Sequence, residues 1–238
     1  MLQATNLTKK YGNFTALNAL NLTVNEGDIF CLLGANGAGK STTINLFLNF
    51  IDPSEGKAAI NGLDVTKKAK ETKRLISYIP ENLMLYPNLT GLENLDFFCG
   101  IGGKNHTREE LEGLLKESGL QPDFINKRVN SYSKGMRQKV GIALARARDA
   151  KALLLDEPTS GLDPKASNEF SELLLEMKEK GVATLMAMHD LFRAKDTGTH
   201  IGIMREGMLI HQVAADSISL PELEKLYLEA MKPIKAAS

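Results

Sequence analysis

The sequence predicts an α/β fold: a parallel sheet buried on both faces, an antiparallel β patch near the N-terminus, and a mostly helical subdomain inserted in the sheet. Three observations predict it. Residues 29–33 (IFCLL) and 152–156 (ALLLD) are continuous apolar runs of strand length, segments of helical period separate such runs, and the residues before 30 alternate apolar with polar. A strand covered on both faces has no polar side, whereas a half-solvated strand alternates.

Taken in order, Leu20, Leu22 and Val24 point one way and Asn21, Thr23 and Asn25 the other, and Glu26-Gly27-Asp28 supplies a turn before IFCLL. STTINLFLNFI places Ile44, Phe47, Leu48 and Ile51 at helical spacing, and Asp52-Pro53-Ser54-Glu55-Gly56 closes that helix. In KAAINGLDV the pair Asn61-Gly62 predicts a hairpin turn, which makes the early strands an antiparallel patch. RLISYIP (74–80) predicts a strand. From Glu81 to about Ala150 the pattern is helical, and TREELEGLLKESG opens on a Thr107 to Glu110 capping box and closes at Gly119. ALLLD resumes the sheet. A helix then runs from Pro164 to Lys180 and stops at Gly181, followed by strand VATLMAM (182–188). HIGIMREGMLIHQV predicts a hairpin around Glu206-Gly207, and LPELEKLYLEAM an amphipathic terminal helix. No repeat or long linker divides the chain, so residues 1–238 are expected to form one domain, with its helical subdomain at about 82–150.

Composition excludes several functions. Of 238 residues 43% are apolar, enough for a well-buried core. Lys and Arg total 29 and Asp and Glu total 29, so no broad field draws nucleic acid or an anionic membrane surface. Cys31 and Cys99 have no CxxC spacing, which points to buried thiols in a reducing cytosol and to no metal held by cysteine. No signal sequence opens the chain and no apolar run is long enough to span a bilayer, so a membrane connection is expected only through a partner.

Between the first buried strand and its helix lies GANGAGKSTT, three glycines and a lysine in ten positions. Strand, Gly34-x4-Gly39-Lys40-Ser41, then helix is the P-loop pattern, and it makes the sheet a P-loop NTPase (RecA-like) core. Glycines let the backbone of Gly34, Ala35, Asn36, Gly37, Ala38 and Gly39 curl around a phosphate with its N–H groups inward, and the helix starting near Lys40, Ser41 and Thr42 adds its dipole. Lys40 reaches the β- and γ-phosphates and the Ser41 hydroxyl serves Mg2+. The second signal is ALLLDEPTSGLD, an apolar strand that delivers two adjacent carboxylates to its end. Asp156 is placed to hold Mg2+, and Glu157 to polarise a water attacking the γ-phosphate. The third is SYSKGMRQKVGIALARA (131–147), where Ser133 and Gly135 precede a helix; a plain helix cap explains these two residues equally well.

Together, in this order, the three segments resemble the ATP-binding subunit of an ABC transporter, and the resemblance runs from Tyr11 to about Gln212. The family signature, usually LSGGQ, here reads Tyr132-Ser133-Lys134-Gly135-Met136; it loses one glycine and keeps the serine and glycine that touch the γ-phosphate from the opposite subunit. The resemblance also implies that Tyr11 stacks on adenine, that Asp163 in SGLD belongs to the loop crossing the dimer interface, and that His189 is the switch histidine at the γ-phosphate. His106, His200 and His211 have no such match. Where the family usually has glutamine after a Tyr-x-Pro strand, this chain has Glu81, a carboxylate in the expected metal shell. That wording and Ser-Lys-Gly-Met resemble export-type members.

The function implied is ATP binding and hydrolysis with Mg2+, driving head-to-tail closure of two cassettes, a homodimer or a related pair, and transport by a separate transmembrane permease. The chain would then lie on the cytoplasmic face of the membrane through that permease, joined by a groove next to the Glu81 loop; NLMLYPNL (82–89) supplies apolar side chains either for that groove or for the core of the helical subdomain. The alternative is a soluble ABC ATPase of an assembly machine such as iron–sulfur cluster building. A chromosome-type ATPase would carry a long heptad run, which is absent, and a P-loop kinase would not need the Ser133 segment.

Overall fold

The computed structural model describes residues 1–232; residues 233–238, the end of the expected domain, lie outside them. Strands β1 (Leu2–Tyr11) and β2 (Phe14–Val24) form a hairpin, and β3 (Ile29–Leu33) leads into α1 (Lys40–Phe47). Next come β4 (Glu55–Ile60), β5 (Leu63–Asp64), α2 (Ala69–Leu75) and β6 (Ile76–Ile79). Helices α3 (Gly91–Ile101), α4 (Arg108–Glu117), α5 (Pro122–Ile125) and α6 (Lys134–Ala147) follow without an intervening strand. The chain returns through β7 (Ala152–Asp156), α7 (Pro164–Glu179), β8 (Ala183–Met188), α8 (Leu191–Thr197), β9 (His200–Arg205), β10 (Met208–Ala214) and α9 (Leu220–Met231).

Two sheets result. An antiparallel sheet has the order β2-β1-β4-β5, and a six-stranded sheet has the order β10-β9-β3-β8-β7-β6, parallel except for β10. The expected Asn61-Gly62 turn joins β4 to β5, with φ of 47° and 76°, the pair of positive values that a tight hairpin turn requires. Every residue of β3 is buried. Its side chains nevertheless divide by period 2: Phe30 and Leu32 enter one core with Leu154, Leu185 and Ile44, while Ile29, Cys31 and Leu33 enter another with Leu153, Leu155, Met186 and Phe170. A third core, of Leu95, Leu111, Leu115, Val140 and Ala143, belongs to the helices between β6 and β7.

The structure differs from the sequence expectations at four places, each with a local cause. The strand expected over 74–80 begins only at Ile76, because Arg74 and Leu75 finish α2. That helix has no apolar stripe to reveal it; its signals are Glu71 in the first turn and Lys73 and Arg74 in the last, which complement the helix dipole. Helix α1 stops at Phe47 rather than near Ile51, since Asn49 takes a left-handed φ of 52°. The short α8 follows directly on Asp190, whose carboxylate caps it by accepting from Arg193 N–H. Residues 81–90, expected to open the helical stretch, form a loop in which Leu85 is buried and Met84 is exposed.

That loop is fixed from below by Asn94, which is wholly buried on α3. Its Oδ1 accepts from Tyr86 N–H at 2.7 Å and its Nδ2 donates to Tyr86 O at 3.1 Å and to Thr90 O at 2.9 Å. One amide thus satisfies both backbone groups of Tyr86. Asn94→Ala leaves the Tyr86 N–H without a partner, and a loss of about 2 kcal/mol or more is expected. Calorimetry should show a lowered Tm, and hydrogen exchange should speed up at Tyr86 while the amides of β3 stay protected.

Candidate nucleotide site

The parallel strands all deliver their carboxyl ends to one edge of the sheet, where open α/β sheets place their ligands. The loop after β3 is held tightly there. A Cβ at Gly34 would stand 2.5 Å from Met204 O and 2.9 Å from the Ala38 methyl, so only glycine lets the loop leave β3 alongside β9. Gly39, at φ 104°, caps α1 with no side-chain hydrogen bond, which leaves the first N–H groups of that helix open to an anion.

Lys40 lies beneath this loop with its side chain only 6% exposed. Its Nζ donates to Gly34 O at 2.6 Å and stands 3.6 Å from Glu157 Oε1. The cation is therefore held by two backbone carbonyls, Gly34 O and, at 3.4 Å, Ala35 O, and by one carboxylate, contacts that an arriving phosphate can replace. Ser41 Oγ donates to Asp156 Oδ1 at 3.2 Å. Burial pushes the Asp156 carboxyl above the usual range, the Ser41 hydrogen bond and the Lys40 charge pull it back, and the Glu81 charge adds to the rise.

Glu157 follows Asp156 in a left-handed conformation, φ 46°, which non-glycine residues seldom adopt. Its N–H donates to Ala187 O on β8 at 2.9 Å, which holds that conformation in place. The turn swings its carboxylate away from the strand, so that Oε1 meets Lys40 and Oε2 lies 2.8 Å from His189 Nδ1, at the end of β8. The two charge partners are unlike: Lys40 is buried and His189 is exposed.

A cleft of about 360 Å3 opens above these groups, walled by Tyr11, Phe14 and Ala16 on one side, by residues 35–42 below, and by Glu81, Asp156 and Glu157 opposite. A second, of about 320 Å3, lies on the far side of Glu157 and is lined by Ser160, Gly161, His189 and Phe192. Ser133, Gly135 and Asp163 line neither. Ser133 caps α6, its Oγ accepting from Met136 N–H at 3.3 Å, and Asp163 caps α7 by accepting from Ala166 N–H at 2.9 Å. The two capped helix starts adjoin, since a Cβ on Gly135 would lie 3.3 Å from the Ala166 methyl.

A family model described as ABC transporter matches residues 17–160. The chain belongs to that family. It is 37% identical over 230 residues to the bacitracin transport ATP-binding protein BcrA of Bacillus licheniformis, a match covering 96% of this chain and 74% of that one. The ABC transporter ATP-binding protein NatA of Bacillus subtilis is 34% identical, over 85% of this chain and 83% of its own. Among solved structures, the ATP-binding subunit of an ABC transporter superposes with a TM-score of 0.85 at 31% identity, over 98% of this chain and all of that one. A dimeric ATP-binding cassette in a post-hydrolysis state with ADP and Pi gives a TM-score of 0.80 at 28% identity, over 90% of this chain and 99% of that one. The protein is an ATP-binding subunit of an ABC transporter and an ATPase with the P-loop fold. These transport relatives set aside the assembly-machine alternative.

In this cassette the expected site residues fall into two groups. Tyr11, the loop 35–42, Glu81, Asp156 and Glu157 share one cleft, Gly34 reaches it through the carbonyl held by Lys40, and His189 reaches it through Glu157. Ser133, Gly135 and Asp163 stand apart from it. Glu81 lines the cleft, yet its Oε1 accepts from Ser160 Oγ at 3.1 Å and lies 3.8 Å from Lys134 Nζ. Sequence reading passed over Phe14, which is exposed and pairs with Tyr11 across the β1–β2 hairpin; that pairing was the available signal.

The donor set suits a hard cation. Ser41 and Asp156 offer a hydroxyl and a half-buried carboxylate within hydrogen-bond distance of each other. Among the described residues no cluster of three or more His, Cys, Asp or Glu could hold a metal, so the protein would supply only part of a shell that nucleotide oxygens and water complete. Gly34→Ala forces the new methyl into Met204 O, and about 1–3 kcal/mol of stability should be lost as the loop shifts. Titration with a fluorescent ATP analogue should show weaker binding, and wild-type affinity in that variant would contradict the close approach.

Proposed function

We propose that this ATPase energises export through a separate transmembrane permease and that it works as a closed pair of cassettes with Mg2+ and ATP between them. Lys40 and the N–H groups of residues 35–42 take the phosphates, and Tyr11 with Phe14 receives the base. Ser41 and Asp156 would hold Mg2+, which would supply positive charge against the phosphates. Glu157 accepts a proton from the attacking water, and His189 orients that carboxylate. Ser133 and Gly135 of each subunit approach the γ-phosphate on the other, with the Asp163 loop at the same interface.

One observation carries this reading. The Glu157 carboxylate stands between Lys40 and His189, at 3.6 Å and 2.8 Å, at the edge shared by two clefts. A phosphate taking over Lys40 frees one oxygen of Glu157 while His189 keeps the other, and a carboxylate so placed is an oriented base. The open second cleft beside it gives a partner's helix start a place to arrive. ATP then favours closure because it touches both subunits only in the closed state, and hydrolysis removes that differential contact.

Export is supported by relatives that include the bacitracin transport protein and the linearmycin resistance ATP-binding protein LnrL of Bacillus subtilis. No helix among the described residues is long and apolar enough to cross a membrane. The permease would dock beside Glu81, on the cytoplasmic side. Met84, Tyr86, Phe97 and Ile101 are exposed there, and the Tyr86 and Phe97 rings meet edge to face at 4.9 Å between centroids. An uncovered apolar patch of this kind is what a partner surface requires.

Glu157→Gln should retain ATP binding, lower turnover by about 10²–10⁴-fold and accumulate an ATP-held dimer visible by light scattering. A variant that hydrolyses ATP normally, or stays monomeric at saturating ATP, would sink the shared-site mechanism. Lys40→Ala should lose ATP affinity itself, measured by the same titration, because among the described residues no other cation stands under the loop.

A further inference from the structure

The Glu81 carboxylate is subject to two opposed pulls. On the cleft side stands Asp156, which lines the same cleft and carries the same sign of charge. On the other side Lys134 Nζ lies at 3.8 Å, and Ser160 Oγ donates to the same Oε1 at 3.1 Å. Without a cation in the cleft, like charge repels Glu81 from Asp156 and opposite charge draws it to Lys134. A divalent ion beside Asp156 and Ser41 reverses the sign on the cleft side. One carboxylate then has two competing cations, and Glu81, Lys134 and Ser160 come from three segments: the loop after β6, the first residue of α6, and the loop between β7 and α7. Gln138, fully buried one turn further along α6, reaches toward Pro80 O at 3.4 Å and ties the same helix to the same loop.

We infer that Lys134 is a positioning residue for Glu81, a built-in competitor that holds the carboxylate off the metal site and yields it when a divalent cation and nucleotide arrive. This rests on the reading that Glu81 turns to Mg2+ in the loaded cassette. The exchange has a mechanical side. Release of Glu81 removes an ionic tie between α6 and the sheet edge, and it uncovers the Lys134 ammonium next to Ser133 and Gly135 at the start of the same helix. Loading of the cleft is thereby coupled to the freedom and charge of the surface that faces the partner. The pair acts as a unit, since either residue alone leaves a charge without its counterpart.

The test uses ADP, which avoids the ATP-held dimer, and the readout is the ratio of ADP affinity in excess Mg2+ to that in chelator, by calorimetry on the whole chain. A partly exposed pair contributes little, so Lys134→Ala should raise the ratio by only about two- to fivefold. Lys134→Arg should restore it. Glu81→Gln should lower the ratio, and adding Lys134→Ala to Glu81→Gln should change nothing further. Tm of each variant checks that the fold is intact, and a merely structural contribution of Lys134 would shift Tm without moving the ratio. If Glu81→Gln leaves the ratio unchanged, the carboxylate does not face the metal and both readings fall. If Glu81→Gln lowers it while Lys134→Ala is inert, or acts equally in the Glu81→Gln background, the competition alone is overturned.

Discussion

β3 is hydrogen-bonded on both edges, to β8 and β9, and buried on both faces, and the remaining geometry of the cassette depends on that confinement. A strand so enclosed cannot slip by one residue without exchanging its Leu32 side for its Leu33 side, which two separate cores forbid. Its end is therefore a fixed point. The glycine loop starts from it, Lys40 is anchored to the first carbonyl beyond it, and the neighbouring strands β7 and β8 end at the same edge with Asp156 and His189. Positioning of this kind needs no contact among the functional side chains themselves, because the register of the sheet has already brought them together.

Much of this was legible in the sequence because it is local. IFCLL, the glycine spacing, ALLLD and the Thr107 to Glu110 capping box each carry their signal within a dozen residues, and each lies where its pattern places it. Helix α2 was not legible, since its residues show no apolar period and its support is charge against the dipole. The site divides in the same way. Glu157 and Asp156 announce themselves by adjacency, whereas the pairing of Glu81 with Lys134 and Ser160 joins two loops and a helix start that only folding brings side by side.

Ser133 and Asp163 show why two readings of one residue can coexist. The family resemblance assigns each to a surface that meets another subunit, and each caps its own helix in this structure. A cap leaves the helix dipole and the remaining N–H groups pointing outward, and the hydroxyl or carboxylate that caps also sits at the positive end of that dipole. The bland explanation of the serine therefore prepares the surface that the other requires. The adjacency of Gly135 to Ala166 puts both helix starts on one face, so whatever meets one meets the other.

The left-handed backbone at Glu157 has a consequence for how this protein could be improved. That φ of 46° is held by neighbouring strands at a residue type that disfavours it, and such positions typically cost about 1–3 kcal/mol. An engineer screening only for heat resistance would find glycine or asparagine attractive there. Either replacement would relax the turn and remove the carboxylate that now lies between Lys40 and His189. On the role proposed for that carboxylate, the end of β7 is a place where robustness and turnover pull in opposite directions.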